Sequence, residues 1–168
     1  TGTYCHLLLN PGGEKRIMEF SKGSLSKEKI KKIHKDKQEI FEELDQNNIR
    51  PRPGCVEILD LCKLKNIKLG FITTTTKATL ETIKRGLREF INFDYFDLIT
   101  TKEQVKYQKP HNEVYNYALN TLKLYSKNTC AVEDTAVNQQ AALQCGIKCF
   151  LFPGEYAIFD STITKDKN

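Results

Sequence analysis

From Ser24 to about Asn48, apolar residues recur at helical spacing. Ile30, Ile33, Ile40, Phe41 and Leu44 fall on one side and Lys, Glu and Asp fill the others, which predicts one long amphipathic helix. The run Asn47-Asn48-Ile49-Arg50-Pro51-Arg52-Pro53-Gly54 stops it with two prolines and a glycine. This break predicts a boundary between residues 1–50 and residues 51–168. Beyond it the rhythm changes. A short helix, Cys55 to Leu64, precedes Ile67–Thr73, which is short, apolar and rich in β-formers and so reads as a strand. Then come a helix over Ala78–Leu87, a strand over Phe96–Thr100 and a helix opening at Pro110 with Val114, Ala118 and Leu122 on one face. A strand at Cys130–Val132, a helix from Thr135 to Cys145 ended by Gly146, and a strand at Lys148–Phe152 complete the pattern. Alternation of short apolar strands with helices predicts an α/β fold: a parallel sheet with helices on both faces.

Composition narrows the classes. The chain has 168 residues, 39% hydrophobic and 28% charged, enough for a core and too apolar for disorder throughout. No stretch approaches the ~18–20 apolar residues of a membrane span, and the N-terminal Thr1–Asn10 lacks the basic start and cleavage site of a signal peptide. The net charge of +5 is partly local, because seven lysines lie between Lys22 and Lys37 with acids among them. A solvated helix face explains them without nucleic acid, since no Arg–aromatic interleaving accompanies them. The six cysteines, at 5, 55, 62, 130, 145 and 149, form no C-x-x-C pair, and His6, His34 and His111 give no zinc spacing. Cys130, Cys145 and Cys149 fall in apolar segments, where free Cys packs as a small hydrophobe, and reduced thiols are expected. The tail after Gly154 is expected to fray.

In an open parallel sheet, ligands bind outside the carboxyl ends of the strands. The first strand is followed by Thr73-Thr74-Thr75-Thr76-Lys77. Four hydroxyls at a helix start can cradle a phosphate, or one or two of them can simply cap the helix. After the second strand, Lys102, Lys106 and Lys109 precede Pro110, and a lysine there can serve as a point charge for phosphate or merely be solvated. After the third come Glu133-Asp134-Thr135. Paired carboxylates suit a hard cation such as Mg²⁺, and helix capping by Asp134 is the plainer alternative.

Threonine after one strand, Lys-Pro after the next and Glu-Asp after the third, in that order, resembles the haloacid dehalogenase superfamily. FITTTT, KYQKPHNEVY and AVEDTAVNQQAALQCG resemble its second, third and fourth motifs. GGEKRI, HKDKQEIF and RPRPG resemble the helical cap and its exit in the CbbY-like and β-phosphoglucomutase-like branch, from about Tyr4 to Gly154. The resemblance implies a Rossmann-like core over residues 51–168 with a partial α-helical cap over 1–50. It implies a Mg²⁺-dependent phosphatase of a small phosphorylated metabolite, a sugar phosphate, acting through an aspartyl-phosphate. Thr73 would hydrogen-bond the phosphoryl group with the Thr74 N–H assisting, and Lys109 would neutralise its charge. Glu133 and Asp134 would hold Mg²⁺, Thr75, Thr76 and Lys77 would lie near the leaving group, and Arg16 would grip a distal phosphate or hydroxyl. A phosphomutase, or a non-catalytic module binding phosphorylated ligands, is the alternative.

Two departures from the pattern are small: His111 and Asn112 follow Lys-Pro, and Asn138 stands where glycine is common. The large one is that the superfamily's first motif, a strand ending in Asp-x-Asp, occurs nowhere; no Asp precedes Asp36. In this fold that strand lies between the first and third strands found here, so the sheet is expected in two halves with exposed edges. Truncation is the expectation, with the chain as it stands inactive and the complete protein monomeric. A cytoplasmic location, or a plastid one, is expected, with neither a nucleic-acid nor a membrane partner.

Overall fold

The computed structural model describes Leu7, residues 12–44 and residues 49–153, and all that follows concerns those residues. Cys5, His6, the linker residues Asn47 and Asn48, and the tail after Pro153 lie outside them.

Two helices come first. α1, Gly13–Phe20, was not signalled by any apolar repeat, and α2 spans Lys27–Leu44. α2 starts three residues later than the periodicity predicts because Ser26 caps it: its hydroxyl accepts the Lys29 N–H at 3.3 Å, and its carbonyl accepts the Ile30 N–H. The two helices pack together with Gly13 against the His34 ring. A Cβ at Gly13 would sit 2.3 Å from the imidazole Cε1, so only glycine permits this approach.

The α/β part follows as α3 (Cys55–Leu64), β1 (Gly70–Phe71), α4 (Lys77–Leu87), β2 (Leu98–Ile99), α5 (Glu113–Leu122), β3 (Cys130–Glu133), α6 (Ala136–Leu143) and β4 (Lys148–Leu151). Every strand and helix expected from the sequence is present, most of them shorter. β1 pairs parallel with β2, Gly70 opposite Leu98, and β3 pairs parallel with β4, Cys130 opposite Lys148. The described residues thus form two separate two-stranded sheets, the two halves expected from the sequence.

Three details correct the reading of the sequence. α5 opens at Glu113 instead of Pro110, because Lys109-Pro110, a cis peptide, sits in a turn that the His111 N–H closes onto the Gln108 carbonyl. The cap of α6 is Thr135, whose hydroxyl accepts the Asn138 N–H, and not Asp134. Of the three cysteines assigned to apolar packing, Cys149 is buried and Cys145 half-buried, but Cys130 is exposed. It shares the outer face of β3–β4 with Val132 and Phe150, which helices do not cover among the described residues.

The core lies on the inner face of β3–β4. Val114 and Tyr115 of α5 meet Ala141 and Ala142 of α6, with Ile147 and Cys149 closing the cluster. Gly146, at φ 72°, lets the chain turn from α6 into β4 in a conformation that costs a side-chain-bearing residue more. Arg50 and Arg52 tie the segment before α3 to both halves. The Arg50 guanidinium lies 4.9 Å from the Phe90 ring, beyond α4. Arg52 stacks on Phe152 and donates to the carbonyls of Phe152 and Pro153 at 2.6 and 2.8 Å. No described helix is long and apolar enough to cross a membrane.

Candidate functional site

Parallel pairing in both sheets directs the carboxyl ends of their strands into loops, and one side chain joins those loops. Lys109 is 7% exposed, and its ammonium donates to the Ile72 carbonyl at 2.8 Å and to Glu133 Oε1. Ile72 follows β1 and Glu133 ends β3, so a single cation ties the ends of the two half-sheets together. Glu133 is 9% exposed and shares the same oxygen with the hydroxyl of Tyr115, which donates to it. The Tyr115 ring also faces the ammonium, 5.2 Å from its centroid. Burial first, then the neighbouring carboxylate, push the Tyr115 phenol far above its ordinary value of 10.0, so it stays a donor. Burial and Glu133 likewise push the Cys149 thiol up to about 11, which leaves it protonated and unreactive.

Thr73 is placed by a residue the sequence reading passed over. Thr100, wholly buried after β2, accepts the Thr73 N–H at 2.9 Å and donates to the Thr73 carbonyl at 2.8 Å. The Thr73 hydroxyl accepts the Thr75 N–H at 3.1 Å and keeps its own hydrogen to donate to another acceptor. The four-threonine run therefore divides. Thr73 is held as a donor and Thr74 is half-buried beside it. Thr75 is fixed through its carbonyl by the Lys102 N–H at 2.8 Å. Thr76 is the cap of α4, accepting the Thr79 N–H and pairing with the Thr79 hydroxyl. Lys77 is exposed on the first turn of α4 and close enough to Glu103 to help hold that carboxyl below its ordinary range, after the Thr101 hydrogen bond.

Asp134 is exposed and, among the described residues, meets only the Asn138 amide, at 3.4 Å. The two adjacent carboxylates thus differ: Glu133 is committed to Lys109 and Tyr115, and Asp134 is open. Among the described residues no group of three or more His, Cys, Asp or Glu gathers as a complete metal shell. The exposed Asp134 fits Mg²⁺ nonetheless, because that ion keeps several waters and can take a single protein carboxylate plus phosphate oxygens.

A cleft of about 700 Å³ opens between the helical pair and the loop around Lys109. One wall carries Gly12, Gly13, Lys15 and His34, and the other Lys106, Tyr107, Lys109 and His111. Lys15, and not Arg16, faces this cleft; Arg16 stands near Lys37 of α2 and, after burial, helps lower its pKa. The structure therefore brings Thr73, Lys109 and Glu133 together and does not bring Arg16 to them. The sequence reading missed Tyr115 and Thr100. Tyr115 carries a signal in hindsight, as a phenol on the buried face of α5 six residues after Lys109. Thr100 carries none.

The haloacid dehalogenase-like hydrolase family model matches residues 2–152. Protein CbbY of Cereibacter sphaeroides is 31% identical over 157 residues, 91% of this chain and 68% of that protein. A phosphorylated carbohydrates phosphatase of Thermotoga maritima is 35% identical over 118 residues, 70% of this chain and 51% of that protein. The crystal structure of a CbbY variant from Rhodobacter sphaeroides in complex with xylulose-1,5-bisphosphate superposes with a TM-score of 0.76 at 31% identity. That match covers 92% of this chain and 70% of that one. These matches cover most of the chain, and the chain belongs to the haloacid dehalogenase-like hydrolases.

Proposed function

We propose that this chain is the phosphoryl-binding part of a Mg²⁺-dependent phosphatase acting on a small phosphorylated metabolite, a sugar phosphate. Residues 1–50 belong to a helical cap and residues 51–168 to the core. The carrying observation is Lys109: a buried ammonium held by the Ile72 carbonyl and Glu133 at the carboxyl ends of β1 and β3. Phosphoryl transfer asks a protein chiefly for positioning and for neutralisation of charge on the equatorial oxygens. Lys109 supplies the charge, the Thr73 hydroxyl and the Thr74 N–H supply donors, and Thr100 and Glu133 keep Thr73 and Lys109 in place. The relatives support this reading, since the Thermotoga protein is a phosphorylated carbohydrates phosphatase and the CbbY variant was crystallised with a sugar bisphosphate.

Asp134 would hold Mg²⁺, with Glu133 beside it acting through Lys109 or a water. When bound, Mg²⁺ supplies charge neutralisation and orientation of the phosphoryl oxygens. The aspartyl-phosphate route needs a nucleophilic carboxylate from an Asp-x-Asp motif, which these 168 residues do not contain. That observation favours one second reading: the chain by itself binds phosphate esters without turning them over.

The test is isothermal titration of the 168-residue chain with inorganic phosphate in Mg²⁺, alongside an assay with p-nitrophenyl phosphate. Wild type binds phosphate and shows no turnover above background. Thr73→Val removes the donor, and with it the acceptor of the Thr75 N–H, and weakens binding by about tenfold, the worth of a charge-assisted hydrogen bond. Turnover abolished by Asp134→Asn would show that the missing motif is not needed and would overturn the account. Phosphate affinity untouched by Thr73→Val would remove the site.

A further inference from the structure

Two cysteines away from the Lys109 site are brought together by the course of α3. The half-buried residues of that helix are Cys55, Val56, Leu59 and Cys62, one stripe at helical spacing, so Cys62 is on the side turned toward the rest of the chain. Just ahead of α3, the Arg52 guanidinium lies 3.9 Å from the centroid of the Phe152 ring and donates to the Phe152 and Pro153 carbonyls. The front of the helix is thereby held at the carboxyl end of β4. Near its other end, the Lys63 ammonium lies 5.5 Å from the centroid of Tyr95, which stands ahead of β2. Lys109 joins the carboxyl ends of both half-sheets, so their amino ends also lie together. α3 therefore runs against the strands, from their carboxyl ends to their amino ends. Its ten residues rise about 15 Å, and the four residues of β4 span about 13 Å. Cys62, in the last turn, comes level with the first residues of β3 and β4, Cys130 and Lys148, which are partners in register.

The faces agree as well. Cys130 is exposed on the outer face of β3–β4, and Phe152, two residues beyond Phe150, shares that face. Arg52 stacks on Phe152 there, so α3 passes along this face without covering Val132 or Phe150. Burial first, then the neighbouring Cys130, hold the Cys62 thiol above its ordinary value of 9.0. The other described cysteines are placed elsewhere: Cys149 is buried on the inner face, Cys145 donates to Asn112 and Asn116, and Cys55 is two helical turns from Cys62.

We propose that Cys62 and Cys130 are a redox pair, which hydrogen peroxide closes into a disulfide that latches α3 to β3. The exposed Cys130 thiol meets the oxidant first: its sulfur takes one oxygen from the peroxide, giving a sulfenic acid and one water. The Cys62 sulfur then attacks the Cys130 sulfur. The S–S bond forms, the S–O bond breaks, and the hydroxyl leaves with the Cys62 proton as a second water. Two thiols lose two electrons in all, and the peroxide is reduced to water. α3 suits a latch because none of its residues is fully buried, so it can shift to close the bridge. The bridge would fasten it to the strand that ends in Glu133.

The test exposes the 168-residue chain to hydrogen peroxide, blocks the remaining thiols with N-ethylmaleimide and maps the unreduced digest by mass spectrometry. The expected product is one intramolecular bridge between the peptides holding Cys62 and Cys130, reversed by dithiothreitol. Cys62→Ser stops the reaction at Cys130, where dimedone traps the sulfenic acid, and Cys55→Ser leaves the bridge in place. In the bridged chain, amide exchange over Cys55–Leu64 slows by about tenfold or more. Wild-type mapping decides without any variant. Cys130 bridged to another cysteine or to a second chain, Cys130 oxidised beyond the sulfenic acid without bridging, or thiols untouched by peroxide would each overturn the pair. A bridge that leaves exchange over α3 as fast as in the reduced chain would overturn the latch.

Discussion

The helical pair α1–α2 and the α/β part are built on opposite terms. Among the described residues of the pair, only Ile30 is a buried hydrophobic side chain, and Met18, Phe20, Ile33, Ile40 and Phe41 remain exposed. The α/β part buries Val114, Ala141, Ala142 and Ile147 nearly completely and places Lys109, Glu133 and Tyr115 within the same layer. A helix pair with so little apolar burial is held by local fit, here Gly13 on His34, whereas the α/β part is held by a core that includes its charged site. Stability and function are therefore separable in the first region and fused in the second. Substituting Lys15, an exposed residue of the cleft wall, should leave folding unchanged, whereas substituting Lys109 should not.

The largest expected effect breaks the fused region. Lys109→Ala leaves Glu133 buried with its charge uncompensated except by the Tyr115 hydroxyl, and costs about 3–5 kcal/mol in urea unfolding. A loss below about 1 kcal/mol would mean that water reaches Glu133, and the contrast between the regions would disappear.

A middle effect probes the helical pair. Gly13→Ala forces a Cβ to within 2.3 Å of the His34 ring, and overpacking of this kind costs about 1–3 kcal/mol. Because the pair buries so little else, the change should separate α1 from α2 and leave the α/β part intact. Amide exchange should speed up over Gly13–Phe20 and stay unchanged over β3 and β4. Protection lost from both regions together would show them to be one cooperative unit.

The smallest effect is the pH dependence of the contact between Glu113 and the loop ahead of Lys109. Backbone hydrogen bonds from Lys106 and then Tyr107 hold the Glu113 carboxyl below its ordinary value of 4.5. A carboxyl depressed in the folded state adds stability above the unfolded value, and that stability is lost as pH falls through the folded one. Exchange of the Lys106 and Tyr107 amides should therefore accelerate as pH falls below the ordinary carboxyl value of 4.5 in wild type, and in Glu113→Gln that acid-limb step should vanish. A wild-type acid limb unchanged in Glu113→Gln would show that another group titrates there.

Much of the fold was legible because its signals are local. Short apolar runs bounded by turns located all four strands, and the buried positions Val114 and Ala118 followed from helical spacing alone. α1 was missed because its eight residues, with Ile17, Met18 and Phe20 as the apolar ones, are shorter than the window over which a helical repeat can be read. The opening of α5 was misplaced because proline at a helix start and proline in a turn look alike until the fold selects one. Among candidate site residues, Thr73, Lys109, Glu133 and Asp134 could be named from their places after strands. Thr76 could not be separated from them, since a capping threonine and a phosphate-binding threonine are the same residue type at the same helix start.

The sequence by itself determined the order of strands and helices, the parallel alternation and the family motifs, because each depends on residues within one or two turns of one another. Only the tertiary structure decided which polar groups meet. Lys109 and Glu133 are 24 residues apart, and Ile72 lies 37 residues from Lys109, so no local pattern could show that one ammonium holds both. The division of Glu133-Asp134 into a buried partner and an exposed carboxylate is likewise a tertiary outcome. Burial makes an unpaired charge too costly to keep, and only packing says which of two adjacent carboxylates is buried.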